Sequence, residues 1–107
     1  LIRPMMYDAF QEIVNISNTD NSKTEKYDIV GYICETDTLG KDRVLPTVNP
    51  GDIIAMKNAG AYCFSMASNY NSRVRPAEVL VYNETTHLIR ERETMEDILK
   101  HQLEVDL

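Results

Sequence analysis

Short runs rich in β-branched and aromatic residues recur along this chain, none longer than eight residues and separated from one another by turn formers. "FQEIVNI" (10–16), "YDIVGYIC" (27–34), "DIIAMK" (52–57), "AEVLVYN" (77–83) and "THLIRERE" (86–93) all read as strands. Turns are predicted at Pro50-Gly51 and Asn83-Glu84, and Gly31 predicts a bulge or a close backbone approach inside its run. Between the first two runs "SNTDNSKTEK" (17–26) has no apolar residue, which predicts an exposed hairpin loop. The pattern changes twice. "GAYCFSMASNYN" puts small residues where a strand would want branched ones, predicting a helical turn over 61–67. In "TMEDILKHQL", Thr94 and Asp97 have capping-box spacing, and Met95, Ile98, Leu99 and Leu103 share one helical face. The expectation is a mainly all-β barrel or sandwich with a short internal helical turn and a C-terminal helix.

At 107 residues the chain is expected to form one domain around one core. It opens on Leu1 rather than methionine, which raises the expectation of a piece of a longer protein. Seventeen acidic residues against 11 basic give a net charge of −6, which argues against nucleic acid or an anionic membrane surface as partner. No apolar run approaches membrane-span length, and no charged-then-apolar signal segment is visible. Cys34 and Cys63 lack any CxxC or His-rich context, so free thiols in a reducing, cytoplasmic setting are expected, with no metal site. The glycosylation-like triplets at Asn15 and Asn83 are read as chance.

Three stretches could carry chemistry. Cys34 stands beside Glu35, and a carboxylate next to a thiol opposes loss of its proton. Such a cysteine is a poor nucleophile and a possible proton donor, although a lone free cysteine is more often a buried, inert one. Tyr62 follows Gly60-Ala61, where a tight turn could project the phenol toward a ligand; a half-buried core aromatic is the plainer reading. Arg3 and Tyr7 are four apart and would share one side of a helical turn. A guanidinium fork beside a phenol suits a carboxylate, and an ordinary surface pair would have the same spacing. Arg73 and Arg75 read as a solvated loop, and His87 and His101 have no evident partners.

Taken in order, "RPMMYDAF", "YDIVGYICETDTLGKDR" and "GDIIAMKNAGAYCFSMASNYNSRVRPAEVLV" resemble the C-terminal domain of the diaminopimelate decarboxylases, and the likeness extends to "LIRERET". These belong to the alanine-racemase-like (fold type III) pyridoxal-phosphate enzymes. The resemblance implies that residues 1–107 are the Greek-key-like C-terminal β-barrel domain of a two-domain decarboxylase, whose N-terminal β/α barrel would carry the Schiff-base lysine. None of the five lysines here has a matching context, so the chain alone is expected to be inactive. The resemblance further implies pyridoxal 5'-phosphate as cofactor, an amino-acid substrate and a homodimer with its active site shared between subunits. Cys34 matches the family's proton donor, and Glu35 the residue that pairs with the distal amino group of the substrate. Arg3 and Tyr7 match the groups that hold the distal carboxylate, and Tyr62 a tyrosine at the cofactor phosphate and substrate. The sequence departs from the commoner Cys-Glu-Ser-(Gly or Ser)-Asp pattern, because Asp37 follows Cys34 by three positions rather than four. The resemblance therefore assigns Asp37 no role.

Two other readings share these residues. Related decarboxylases acting on ornithine, arginine or carboxynorspermidine have the same fold and cofactor. Those acting on diamine precursors place an aspartate after the cysteine and need no arginine for a distal carboxylate, so Glu35 and Arg3 favour diaminopimelate. A non-catalytic dimerisation or regulatory barrel is the third reading, against which stand Cys34, Glu35 and Tyr62.

Overall fold

A computed structural model describes residues 10–34 and 38–107. The chain divides into two compact units, Leu1–Met66 and Ala67–Leu107. It is mostly sheet with few helices, its six strands forming three antiparallel pairs among the described residues.

In the first unit, β1 (Ile13–Asn15) pairs with β4 (Ile54–Met56), and β2 (Thr24–Val30) pairs with β3 (Thr38–Pro46). The 17–26 segment is exposed as predicted, but it joins strands of different pairs and is not a hairpin loop. Side chains within it reach elsewhere. Asn18 Nδ2 donates to the Thr47 carbonyl at 2.9 Å, and Ser17 Oγ accepts the Ile53 amide at 2.8 Å. The second contact ties the chain after β1 to the residue before β4.

The second strand is shorter than its apolar run, stopping at Val30 before Gly31, where a residue without Cβ weakens the strand. Its partner β3 is longer than the sequence suggests and contains Gly40-Lys41-Asp42-Arg43. A register shift lies between Tyr27 and Ile29, whose partners are Arg43 and Gly40. The extra residue is accommodated by Asp42 at φ 54°, a left-handed geometry that aspartate tolerates better than most residues. The Asp28 carboxylate accepts the Asp42 amide at 2.8 Å and so satisfies a group near the irregularity.

Ile13, Leu45 and Ala59 form the buried apolar core, joined by the polar Asn15. Gly40 is buried against Ile13: a Cβ there would stand 2.6 Å from Ile13 Cδ1. The missing side chain lets the β1 isoleucine lie close to β3.

In the second unit, β5 (Glu78–Tyr82) and β6 (Thr85–Arg90) form a hairpin. Its turn residues Asn83 and Glu84 have φ of 47° and 61°, the pair of positive angles that matches the twist of hairpin strands. The predicted capping box is present at α2 (Met95–Leu99): the Asp97 amide donates to Thr94 Oγ1 and the Thr94 amide to Asp97 Oδ2. Leu103, expected on the same helical face, lies beyond its end. No residue of 67–107 is fully buried. Val79, Leu80, Val81, Tyr82, Leu88 and Ile89 are all exposed. Since neighbouring strand residues point to opposite faces, the hairpin is apolar on both.

Candidate functional site

The helical turn predicted at 61–67 is α1, Gly60–Met66. Its start is fixed from both sides of the chain. Lys57 Nζ pairs with Glu12 Oε1 at 3.0 Å, and the Lys57 amide donates to the Glu12 carbonyl at 2.8 Å. Ala59 is buried, and its carbonyl accepts the Cys63 amide at 2.7 Å, closing the first turn. Helical periodicity then sorts the side chains. Cys63, Phe64 and Met66 are half-buried, whereas Ala61, Tyr62 and Ser65 face outward.

Tyr62 is 72 % exposed, which sets aside the half-buried core reading. Cys34 is exposed too, in a bend that follows β2 rather than at a strand end as its run suggested. Neither the thiol nor the phenol makes a hydrogen bond or ion pair among the described residues, and the thiols of Cys34 and Cys63 are both free. Cys63 differs from Cys34 in its burial, which pushes its thiol pKa up and keeps it protonated. Arg3, Tyr7, Glu35 and Asp37 lie outside the described residues.

A phosphate-bearing aldehyde cofactor needs an amine to hold it and hydrogen-bond donors for its phosphate. All five lysines of the chain are exposed, and Lys57 is already paired with Glu12. The exposed Tyr62 hydroxyl and Cys34 thiol are polar groups open to a ligand. Neither lines the open cleft of about 540 Å³ on the first unit, whose wall includes Phe10, Ile13, Arg43 and Leu45. There the Arg43 guanidinium stacks 3.9 Å from the Phe10 ring centroid. Among the described residues no group of three or more His, Cys, Asp or Glu could hold a metal, and no helix is long and apolar enough to cross a membrane.

Sequence reasoning missed one cluster altogether. Arg75, read as a solvated residue, donates from Nε to Glu93 Oε1 at 2.5 Å and from its backbone amide to Glu93 Oε2 at 2.8 Å. Asn69 Nδ2 donates to the same Oε2 at 2.7 Å. The Arg75 amide, followed by the guanidinium and Asn69, holds the Glu93 carboxyl below the ordinary glutamate range despite an opposing effect of burial. The partners are 18 positions apart, a separation to which no local periodicity corresponds.

Residues 1–60 match the family described as the pyridoxal-dependent decarboxylase C-terminal sheet domain. Diaminopimelate decarboxylase of Methanothermobacter thermautotrophicus is 48% identical over 103 residues, covering 95% of this chain and 24% of the relative. That of Haemophilus influenzae is 50% identical over 99 residues, covering 92% and 24%. Among solved structures, M. jannaschii diaminopimelate decarboxylase in complex with L-lysine superposes with a TM-score of 0.86 at 42% identity, covering 96% of this chain and 24% of that one. The Helicobacter pylori enzyme, also complexed with L-lysine, gives 0.78 at 41% identity, covering 92% and 24%. The chain thus spans about a quarter of the length of the relatives it matches.

Proposed function

This chain belongs to the pyridoxal-dependent decarboxylases, within their C-terminal sheet domain, and from that membership we propose that its parent protein converts meso-2,6-diaminopimelate to L-lysine and carbon dioxide. Residues 1–107 are then the C-terminal Greek-key-like β-barrel domain of a two-domain cytoplasmic enzyme. The observation that carries this reading is that Cys34 and Tyr62, at the two matched positions, are exposed and make no side-chain hydrogen bond among the described residues. Two polar side chains facing outward suit a site completed by another part of the protein. The hairpin β5–β6, apolar and exposed on both faces, supports the same conclusion, since an isolated two-stranded hairpin is marginal in water.

Pyridoxal phosphate, when bound, supplies the electron sink for loss of carbon dioxide. The residues of this chain do the rest of the work assigned to it. Cys34 transfers the proton of its Sγ to the carbon that has lost its carboxylate, and the resulting thiolate is reprotonated from solvent. Tyr62 would hold the cofactor phosphate through a hydrogen bond from its hydroxyl. Arg3 and Tyr7 bind the distal carboxylate of the substrate, and Glu35 its distal ammonium group. An amino acid without the distal carboxylate leaves the arginine unpaired and is disfavoured. In a homodimer, the Cys34–Glu35 segment of one subunit serves the site of the other.

The test is carbon dioxide release by the full-length parent with pyridoxal phosphate, offered meso-diaminopimelate, ornithine and arginine separately. Release from meso-diaminopimelate with lysine as product is expected. Release from ornithine or arginine alone would keep the family and overturn the substrate. No release from any would favour the non-catalytic reading.

A further inference from the structure

Residues directly opposite one another across an antiparallel pair share a face. The register of the β5–β6 hairpin therefore puts Val79, Val81 and Leu88 on one face, and Leu80 and Tyr82 on the other beside His87. All five apolar side chains are exposed, Leu88 by 62 % on the first face and Tyr82 by 65 % on the second. A strand with one face in water alternates apolar with polar residues. Val79-Leu80-Val81-Tyr82 is instead a continuous apolar run, the pattern of a strand buried on both faces.

The apolar surface has polar limits. At its base Glu78 pairs with the Arg90 guanidinium, and at its tip the turn exposes Asn83 and Glu84. An apolar centre inside a polar rim is the anatomy of a contact surface. What covers it follows from size and from the two-sided pattern. This chain spans 24% of its Methanothermobacter relative, and the matched family is a C-terminal sheet domain, so the rest of such a parent precedes it. A second copy fits less well: a two-fold contact sets one patch against its own image and would leave the opposite face in water.

We propose that the β5–β6 hairpin is an internal docking surface of the parent protein, packed on both faces by the polypeptide upstream of Leu1. This rests on the reading above that the chain is the C-terminal part of a longer enzyme, and not on the choice of substrate.

The test is hydroxyl-radical footprinting of the wild-type full-length parent, read at Leu88 for one face and Tyr82 for the other. Both should be oxidised at least about tenfold more slowly than in the urea-unfolded parent, because a covered side chain reacts only through opening. Dilution should not change that protection. Photo-cross-linking from Tyr82→p-benzoylphenylalanine then identifies the neighbour, and the joined peptide should lie upstream of Leu1 in the same subunit. Oxidation of either residue at the unfolded rate would overturn the proposal. Protection lost on dilution would overturn it too, since that is the mark of a second copy, and so would a cross-link to residues 1–66. Footprinting needs no substitution, so it decides the matter even where the cross-linking variant does not fold. A protected hairpin in a parent that releases no carbon dioxide would uphold this proposal and sink the enzymatic reading; an active parent with an open hairpin would sink this proposal alone.

Discussion

The side-chain amide of Asn15, only 4 % exposed, donates to Oδ2 of Asp52 at 3.2 Å, 37 positions along the chain. Its carbonyl oxygen accepts the amides of Ser17 and Asn18, both at 3.0 Å. This asparagine is therefore a structural bracket between the end of β1 and the approach to β4. Its amide is buried and hydrogen-bonded through both its nitrogen and its oxygen.

Asn15→Ala leaves two backbone amides without an acceptor, and should destabilise the parent protein by about 1–3 kcal/mol in denaturant unfolding. Asn15→Asp keeps the acceptors but sets a second carboxylate against Asp52. Its deficit should therefore shrink on acidification, and an equal deficit at pH 7 and pH 4 would contradict this account of the contact.

Gly40 is required by packing rather than by backbone angle. An alanine Cβ would meet Ile13 Cδ1 at 2.6 Å and Arg43 Nε at 2.9 Å. The arginine tip can move, but the buried isoleucine has little room, so Gly40→Ala should cost about 1–3 kcal/mol. Ile13→Val removes the clashing methyl group. In the double variant the loss should be smaller than the sum of the two single losses. Simple additivity would show that the crowding lies elsewhere.

The Glu93 carboxyl has its folded-state pKa depressed, first by the Arg75 amide and then by the Arg75 and Asn69 side chains. Proton linkage then fixes the sign. The contribution of these hydrogen bonds is fully present above the ordinary glutamate value of about 4.3 and is lost as pH falls through the lower folded value. Thermal unfolding of the wild type should therefore worsen more steeply below about pH 4 than that of Glu93→Gln. Superimposable pH profiles would contradict the assignment.

Local signals were legible in the sequence where a short run dictates its own structure. The Asn83-Glu84 turn, the Thr94–Asp97 capping box and the helical turn that carries Tyr62 all follow from neighbouring residues. What escaped depends on distant partners. β1 pairs with β4 rather than with β2, because strand pairing is chosen by distant contacts such as Asn15 to Asp52 and Ser17 to Ile53 and not by proximity along the chain. β3 runs through Lys41-Asp42, residues of low strand preference, because a left-handed Asp42 absorbs the irregularity. Burial was also underdetermined: Tyr62 read as a half-buried aromatic, and exposure on the outer side of α1 emerges only once the helix is fixed at Ala59. For Arg75, the partner that changes its meaning is 18 residues away. The identities at the candidate site came through the family resemblance, while Arg3, Tyr7 and Glu35 lie outside the described residues.

In the function we propose, the exposed thiol of Cys34 delivers the proton that completes decarboxylation. Its most direct test is the steady-state kinetics of full-length wild type and Cys34→Ala on meso-diaminopimelate with pyridoxal phosphate. Loss of a general acid typically costs about 10²–10⁴ in rate, so kcat should fall at least about a hundredfold while KM changes little. A Cys34→Ala enzyme with wild-type kcat would remove the thiol from the reaction and contradict the mechanism.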